Sequence, residues 1–326
     1  MKKRILLMIL FIVAIFGVSG CGKGNNIVVY SSMEEENNQL LTKMVKEKFP
    51  DMDVIVQHVG TGNSAAKIKN EGTSIEAKII LDLETSHMNN LKDNFADLSS
   101  FDRSKYLDSV NVDNNYVTWT KYNVGLIVDN KYLKEHNIPA PKTYEDLLKP
   151  IYKNLIAMPD PTSSGSGYAF YLNVVNLKGE DKAIEYFKKL KNNIREFTTS
   201  GSGPTNLLKK GEIAIAMGMF SQGAAAITEG YDYSLIQLDT GCPFNTTSAG
   251  IIKGNENDEN IKKLFQWLIT DFEKVLVEER VPGTLYKEQT AKIQNYPEKV
   301  KDADMTNIES ADKKQELSKK WEQVNG

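Results

Sequence analysis

Short apolar runs and longer amphipathic runs alternate along most of the 326 residues. Ile27-Val28-Val29-Tyr30 is short, β-branched and closed by Ser31-Ser32, the pattern of a buried strand. Over residues 33–49, Leu40, Leu41, Met44, Val45 and Phe49 share one helical face, with Glu and Lys elsewhere. Pro50 ends that helix. Residues 54–59 predict a second strand, followed by Gly60-Thr61-Gly62-Asn63-Ser64 and a new helix. Residues 78–83 predict a third strand, with a helix near Met88. Strand and helix in alternation predict an α/β sheet with crossover helices.

Residues 116–120 and 123–128 predict two further strands, close together. After Pro139 and Pro141 the α/β pattern restarts. Thr143 is placed to cap a short helix, and residues 155–158 predict a strand ending at Pro159-Asp160-Pro161. A Ser/Gly loop over 162–167 enters an aromatic helix, and 181–191 is amphipathic. Residues 213–217 predict a buried strand and 221–229 a helix; strands follow at 233–238 and 249–252. Helices over 260–272 and 313–324 close the chain, with a stretch rich in Lys, Glu and Pro between them.

The first 21 residues follow a different rule. Lys2, Lys3 and Arg4 precede an almost unbroken apolar run over 5–18, closed by Val18-Ser19-Gly20-Cys21. A basic start and a short apolar run predict a signal peptide over residues 1–20. The run is shorter than the roughly 20 residues of a membrane-spanning helix. The closing tetrapeptide resembles the bacterial lipobox, which implies lipid on Cys21 and a polar tether over 21–26. The expected location is the extracytoplasmic face of the cell membrane.

Charge and cysteines narrow the picture. The whole chain carries a formal charge of −3, and loss of the three basic signal residues makes it more acidic. That argues against nucleic acid, which favours a basic face. With Cys21 lipidated, Cys242 is left alone, so no internal disulfide is expected. About 300 remaining residues predict two domains.

Four loops follow strands and precede helices: Ser31-Ser32, Gly60 to Ser64, Thr162 to Gly167, and Phe220-Ser221-Gln222. Ligands in open α/β sheets bind beyond the carboxyl ends of strands, and helix N-termini favour anions. The same residue types also cap helices, so each loop has a purely structural alternative. The loop Thr162-Ser163-Ser164-Gly165-Ser166-Gly167 offers four hydroxyls where capping needs one. Glu34, Asp82, Glu84 and Asp239 are placed to receive a ligand amine. Ordinary surface solvation, or a helix-terminus charge for Glu34, is the favoured reading of these four.

Catalysis finds little support. His58, His87 and His136 have no evident nucleophile beside them, and the chain has no H-E-x-x-H, C-x-x-C or phosphate loop ending in Gly-Lys-Ser/Thr. A secreted hydrolase stays as an alternative, requiring a nucleophile within reach of His58 or His87.

The order of motifs resembles a known family. Ile27-Val28-Val29-Tyr30-Ser31-Ser32, the Ser/Gly loop before Gly167-Tyr168, and Lys210-Gly211-Glu212-Ile213-Ala214-Ile215-Ala216 come in turn. Cys242-Pro243-Phe244, Gly250-Ile251-Ile252-Lys253-Gly254 and Lys319-Lys320-Trp321 follow. The chain is similar to the extracellular solute-binding proteins of ABC importers, in the branch of ferric-iron, 2-aminoethylphosphonate and sugar-phosphate binders. The resemblance implies a type II periplasmic-binding-protein-like fold: two lobes, each a mixed sheet flanked by helices, with two hinge crossings. Lobe one would hold 25–122 and 239–326, lobe two 123–238.

It also implies an interlobe ligand, an ABC permease with its ATPase as partners, a monomer, and neither enzyme activity nor a cofactor. With the loops and carboxylates above, the residues expected to bind the ligand are Ser31, Ser32, Glu34, Thr61, Gly62, Asn63, Glu84, Thr162, Ser163, Ser164, Gly165, Ser166, Ser221 and Gln222. Iron-binding members place paired tyrosines where this chain has Ser221-Gln222, which disfavours iron and leaves no metal site expected. Neutral hydrogen-bonding groups there suit a small oxyanion of the phosphonate or organophosphate class. A ferric-iron or polyamine ligand is the alternative within the same fold.

Overall fold

The computed structural model describes residues 26–108, 113–283, 285–289 and 293–325. The signal segment, Cys21 and the tether up to residue 25 lie outside the described residues. Among the described residues no helix is long and apolar enough to cross a membrane.

Among the described residues nine strands form the frame: β1 (Ile27–Ser31), β2 (Val54–His58), β3 (Ile79–Glu84), β4 (Val117–Asp129), β5 (Ile156–Pro159), β6 (Ile194–Thr198), β7 (Ile215–Met219), β8 (Tyr233–Ile236) and β9 (Phe244–Ile251). Their order is β2-β1-β3-β9-β4-β7-β5-β6, with β8 also on β4. β2, β1 and β3 run parallel, as do β7, β5 and β6. β9 and β4 are antiparallel to their neighbours, so each half of the sheet is mixed. The parallel strands are joined by helices, as parallel pairing requires; Gly203–Lys209, between β6 and β7, lies where the sequence pattern predicts none.

The two strand runs predicted at 116–120 and 123–128 are one 13-residue strand. Its residues Val117 to Asn123 pair with β9, and Val124 to Val128 pair with β7. The interruption in the hydrophobic pattern, Lys121-Tyr122-Asn123, is where β4 passes from one half to the other. β8 pairs with the second part of β4 and β9 with the first, so the chain returns between Ile236 and Phe244.

Each half has its own core. Val29, Leu81, Trp119, Phe265 and Phe272 belong to one, and Met158, Phe170, Phe187 and Met217 to the other. Helix Gly165–Lys178 is buried on all sides over residues 165–175, as its near-continuous apolar sequence requires. The end of the chain departs from expectation. Residues 239–326 were expected together in lobe one, but Ala303, Met305, Ile308, Leu317, Trp321 and Val324 join the core of the second half. Trp321 packs on Tyr171, Phe187 and Phe197, and its Nε1 donates to Asp160 Oδ2 at 3.1 Å. Periodicity marks the apolar face of helix Ala311–Asn325 but cannot say which core receives it.

Candidate ligand-binding cleft

Two adjoining cavities open between the halves. The inner one has a volume of about 250 Å³ and the outer about 820 Å³; they share Glu34, Asn37, Met219 and Val281. The inner cavity lies at the carboxyl ends of parallel strands, where open α/β sheets bind ligands. The first half supplies Ser32, His58, Thr61, Asp82, Glu84, Thr120, Tyr122 and Thr247; the second supplies residues 163–166 and 199–201 and Met219. At 250 Å³ it falls just below the range of drug-sized pockets, about 300–1,000 Å³, and suits a small solute.

The helices that begin at this cleft have no side-chain caps. That holds for Glu35–Lys48, Thr61–Glu71, Gly165–Lys178 and Phe220–Thr228. Asp129 and Asp258 cap helices that start away from both cavities, although Glu180–Leu190, also away from them, starts uncapped. The capping alternative for the Ser/Thr/Gly loops therefore fails at Ser164, which occupies the N-cap position but spends its hydroxyl on Ser166 Oγ, 2.9 Å away. Uncapped first turns leave backbone N–H groups available to a ligand or to water.

Gly165 is required here. A Cβ on it would lie 2.7 Å from Tyr122 Oη, 2.8 Å from Asn245 Nδ2 and 2.8 Å from Glu84 Oε1. Gly167 likewise lets the helix approach the end of β5, since a Cβ would sit 2.3 Å from Pro159 O.

Three carboxylates face the inner cavity, and no Lys or Arg lines it among the described residues. Glu84 is 3% exposed and ion-paired with Lys314 from helix Ala311–Asn325; Asn245 Nδ2 donates to the same oxygen, Oε2, at 3.4 Å. Oε1 is buried without a hydrogen-bond partner. Burial pushes the Glu84 carboxyl up, but the Lys314 charge, with His87 and the hydrogen bonds, outweighs it and holds it below its usual value.

Asp82 sits at a β-bulge with φ 61°. Its Oδ1 accepts from Thr247 Oγ1 at 2.7 Å and Thr120 Oγ1 at 3.2 Å. Burial pushes Asp82 up to about 7, with the Glu34 and Glu84 charges adding to the rise and the two threonines opposing it. Burial also raises Glu34, against a hydrogen bond from Ser202 across the cleft and the charge of His58.

Ser32, Glu34, Thr61, Glu84, Ser163, Ser164, Gly165 and Ser166 line the inner cavity, and Ser221 and Gln222 line the outer one with Glu34. Four expected residues line neither. Ser31 is fully buried, its Oγ accepting from Met33 N–H, because strand alternation turns it inward. Gly62 and Asn63 lie on the exposed face of their helix. Thr162 is exposed and donates to Asp160. Surface solvation, the favoured reading of Asp82 and Glu84, is overturned in the cleft, where Glu84 is buried and Asp82 half-buried; Asp239 is exposed.

No sequence motif marks Thr120, Tyr122, Asn245, Thr247 or Lys314. Nothing local marks Lys314, which lies 230 residues from Glu84. His58 Nδ1 is engaged with Met33 O at 3.0 Å and Asn38 Nδ2 at 3.3 Å. Burial and the Lys314 charge push His87 down to about 4.

Comparison with known proteins agrees with this geometry. An uncharacterized protein of Haemophilus influenzae is 25% identical over 269 residues, covering 78% of this chain and 76% of its own. The periplasmic binding protein AfuA from Actinobacillus pleuropneumoniae, solved with exogenous fructose-6-phosphate bound, superposes with a TM-score of 0.80 at 22% identity, covering 92% of this chain and 99% of its own. The periplasmic binding protein P5PA gives a TM-score of 0.79 at 22% identity, over 91% and 98%. The apo ferric ion-binding protein A of Pasteurella haemolytica gives 0.73 at 16% identity, over 92% and 98%. The fold is thus the two-lobed type II architecture of periplasmic binding proteins. Residues 50–295 match a single family across most of the chain, and this protein belongs to it: the bacterial extracellular solute-binding proteins.

Proposed function

We propose that this protein captures a small solute carrying an oxyanion of the phosphonate or organophosphate class, and delivers it to an ABC permease and its ATPase. The observation that carries this is the set of uncapped helix starts around the cleft, above all at Thr61 and Gly165. Their free N–H groups and partial positive charge suit an anion, and Ser and Thr hydroxyls stand beside them. The fructose-6-phosphate bound to AfuA is a ligand of this class in the same fold. The Ser221-Gln222 pair and Tyr122, the sole tyrosine lining either cavity among the described residues, favour a hydrogen-bonded solute over ferric iron.

In this reading the working chain is a monomer anchored by lipid on Cys21, without catalytic activity. Lobe one is built from 26–108, 113–122 and 244–283, lobe two from 123–238 with 303–325, and they close about β4 near Asn123 and about the 237–243 connection. Closure is the usual way such lobes bring both walls onto one ligand.

A thermal-shift screen of phosphonates, sugar phosphates, polyamines and ferric salts tests the proposal. A ligand at 100 times its Kd stabilises by about 2.7 kcal/mol. Stabilisation by phosphonates or sugar phosphates is expected. Stabilisation by ferric ion or polyamines alone would overturn the ligand class.

A further inference from the structure

We propose that Glu84, Asp82 and the Tyr122 hydroxyl form a subsite for a protonated amine on the same solute. This rests on the oxyanion reading above and adds a second, cationic pole to the ligand. The argument starts from Glu84. Its Oε2 is taken by Lys314 and Asn245, while Oε1 is buried and unpartnered in a residue that lines the cavity. A buried carboxylate oxygen without a donor is costly, and an incoming N–H removes that cost.

Asp82 stands two residues earlier on the same strand end. Its Oδ1 is satisfied by Thr120 and Thr247, and its Oδ2 has no protein donor among the described residues. Tyr122 Oη and Glu84 Oε1 both lie over Gly165, 2.7 Å and 2.8 Å from where a Cβ would stand, so the two oxygens are held close together at the helix start.

Charge makes the same point. A solute that is only an anion would meet Glu34, Asp82 and Glu84 in a cavity whose lining has no Lys or Arg among the described residues. Lys314 answers Glu84 from behind the wall and lines neither cavity. An ammonium on the solute supplies the missing positive charge, and charge-assisted hydrogen bonds to carboxylates are the stronger kind. A metal ion is a poorer occupant: among the described residues no group of three or more His, Cys, Asp or Glu is disposed to hold one.

Matched probes test this by calorimetry: 2-aminoethylphosphonate against ethylphosphonate, and an amino-sugar phosphate against its parent sugar phosphate. In at least one pair the amine is expected to bind at least about tenfold more tightly. Equal affinity within every pair that binds would overturn the amine subsite and leave the oxyanion reading standing. If no probe binds, the oxyanion reading falls and the subsite with it. Asp82→Asn keeps the backbone conformation, since Asn tolerates positive φ. It and Glu84→Gln should each bring the within-pair ratio toward one. A ratio unchanged in both variants would overturn the assignment.

Discussion

Replacing Lys314 by Met is the sharpest test of the link between the closing helix and the cleft. Lys314 is 7% exposed and Glu84 3%, so the pair is shielded from solvent screening. Met retains most of the apolar stem, so the variant loses chiefly the ammonium. Removing one partner of a buried pair strands the other charge and costs about 3–5 kcal/mol. Over roughly 300 residues, at about 2.1 cal/mol/K each, that lowers Tm by about 5–8 °C.

The loss depends on pH in a defined direction. In the native protein Glu84 is depressed, so its contribution is present above the unfolded value of 4.5 and lost as pH falls through the folded one. Without Lys314 burial wins, and the folded carboxyl rises above 4.5. Stability then falls as pH climbs through the new value. The deficit of Lys314→Met should be larger at pH 8 than at pH 5, measured by thermal or urea unfolding. His87, now held at about 4 by burial and Lys314, should titrate higher in the variant when followed by NMR. Glu84→Gln/Lys314→Met should recover much of the loss at pH 8. A Lys314→Met variant as stable as the wild type at pH 8, or one with equal deficits at both pH values, would refute this reasoning.

Other expectations follow from the same structure. Gly165→Ala puts a methyl group within 2.8 Å of three polar side-chain ends. It should cost about 1–3 kcal/mol by overpacking, read by denaturant unfolding, and weaken binding of whichever probe the screen finds. Asp82→Asn removes a carboxyl raised to about 7, whose contribution in the native protein is full below 3.8 and lost as pH rises through 7. Relative to wild type it should gain about 1–2 kcal/mol between pH 5 and pH 8, the edge that Asp82 shows to the cavity reducing the full effect. Trp321→Ala should lose about 3–5 kcal/mol in the same assay, because a fully buried indole leaves a cavity among Tyr171, Phe187 and Phe197. Cys242 is fully buried, and burial with the nearby Asp302 pushes its thiol up to about 12. A thiol reagent at pH 8 should label Cys242 only on unfolding.

Local pattern alone determined much of this molecule. Period-two and period-3.6 runs placed β1 to β3 and the helices between them, because each element buries a face set by its own residues. Loops rich in Ser, Thr and Gly after those strands marked residues that line the cleft, since such residues at helix starts have a chemistry that needs no distant partner. Tertiary structure decided the rest. That residues 117–129 form one strand follows from pairing with β9 and then β7, not from the apolar pattern broken at Lys121. Helix Ala311–Asn325 shows an apolar face in sequence, but only packing assigns Trp321 to the second core. Asp82 and Glu84 read as surface acids until the fold sets Asp82, half-buried, against Thr120 and Thr247, and buries Glu84 against Lys314. Sequence carries the preference of a residue for burial or exposure. The charge that meets it there comes from contacts made across the whole chain, and those alone turn a hydroxyl-lined loop into a cleft with an acidic wall.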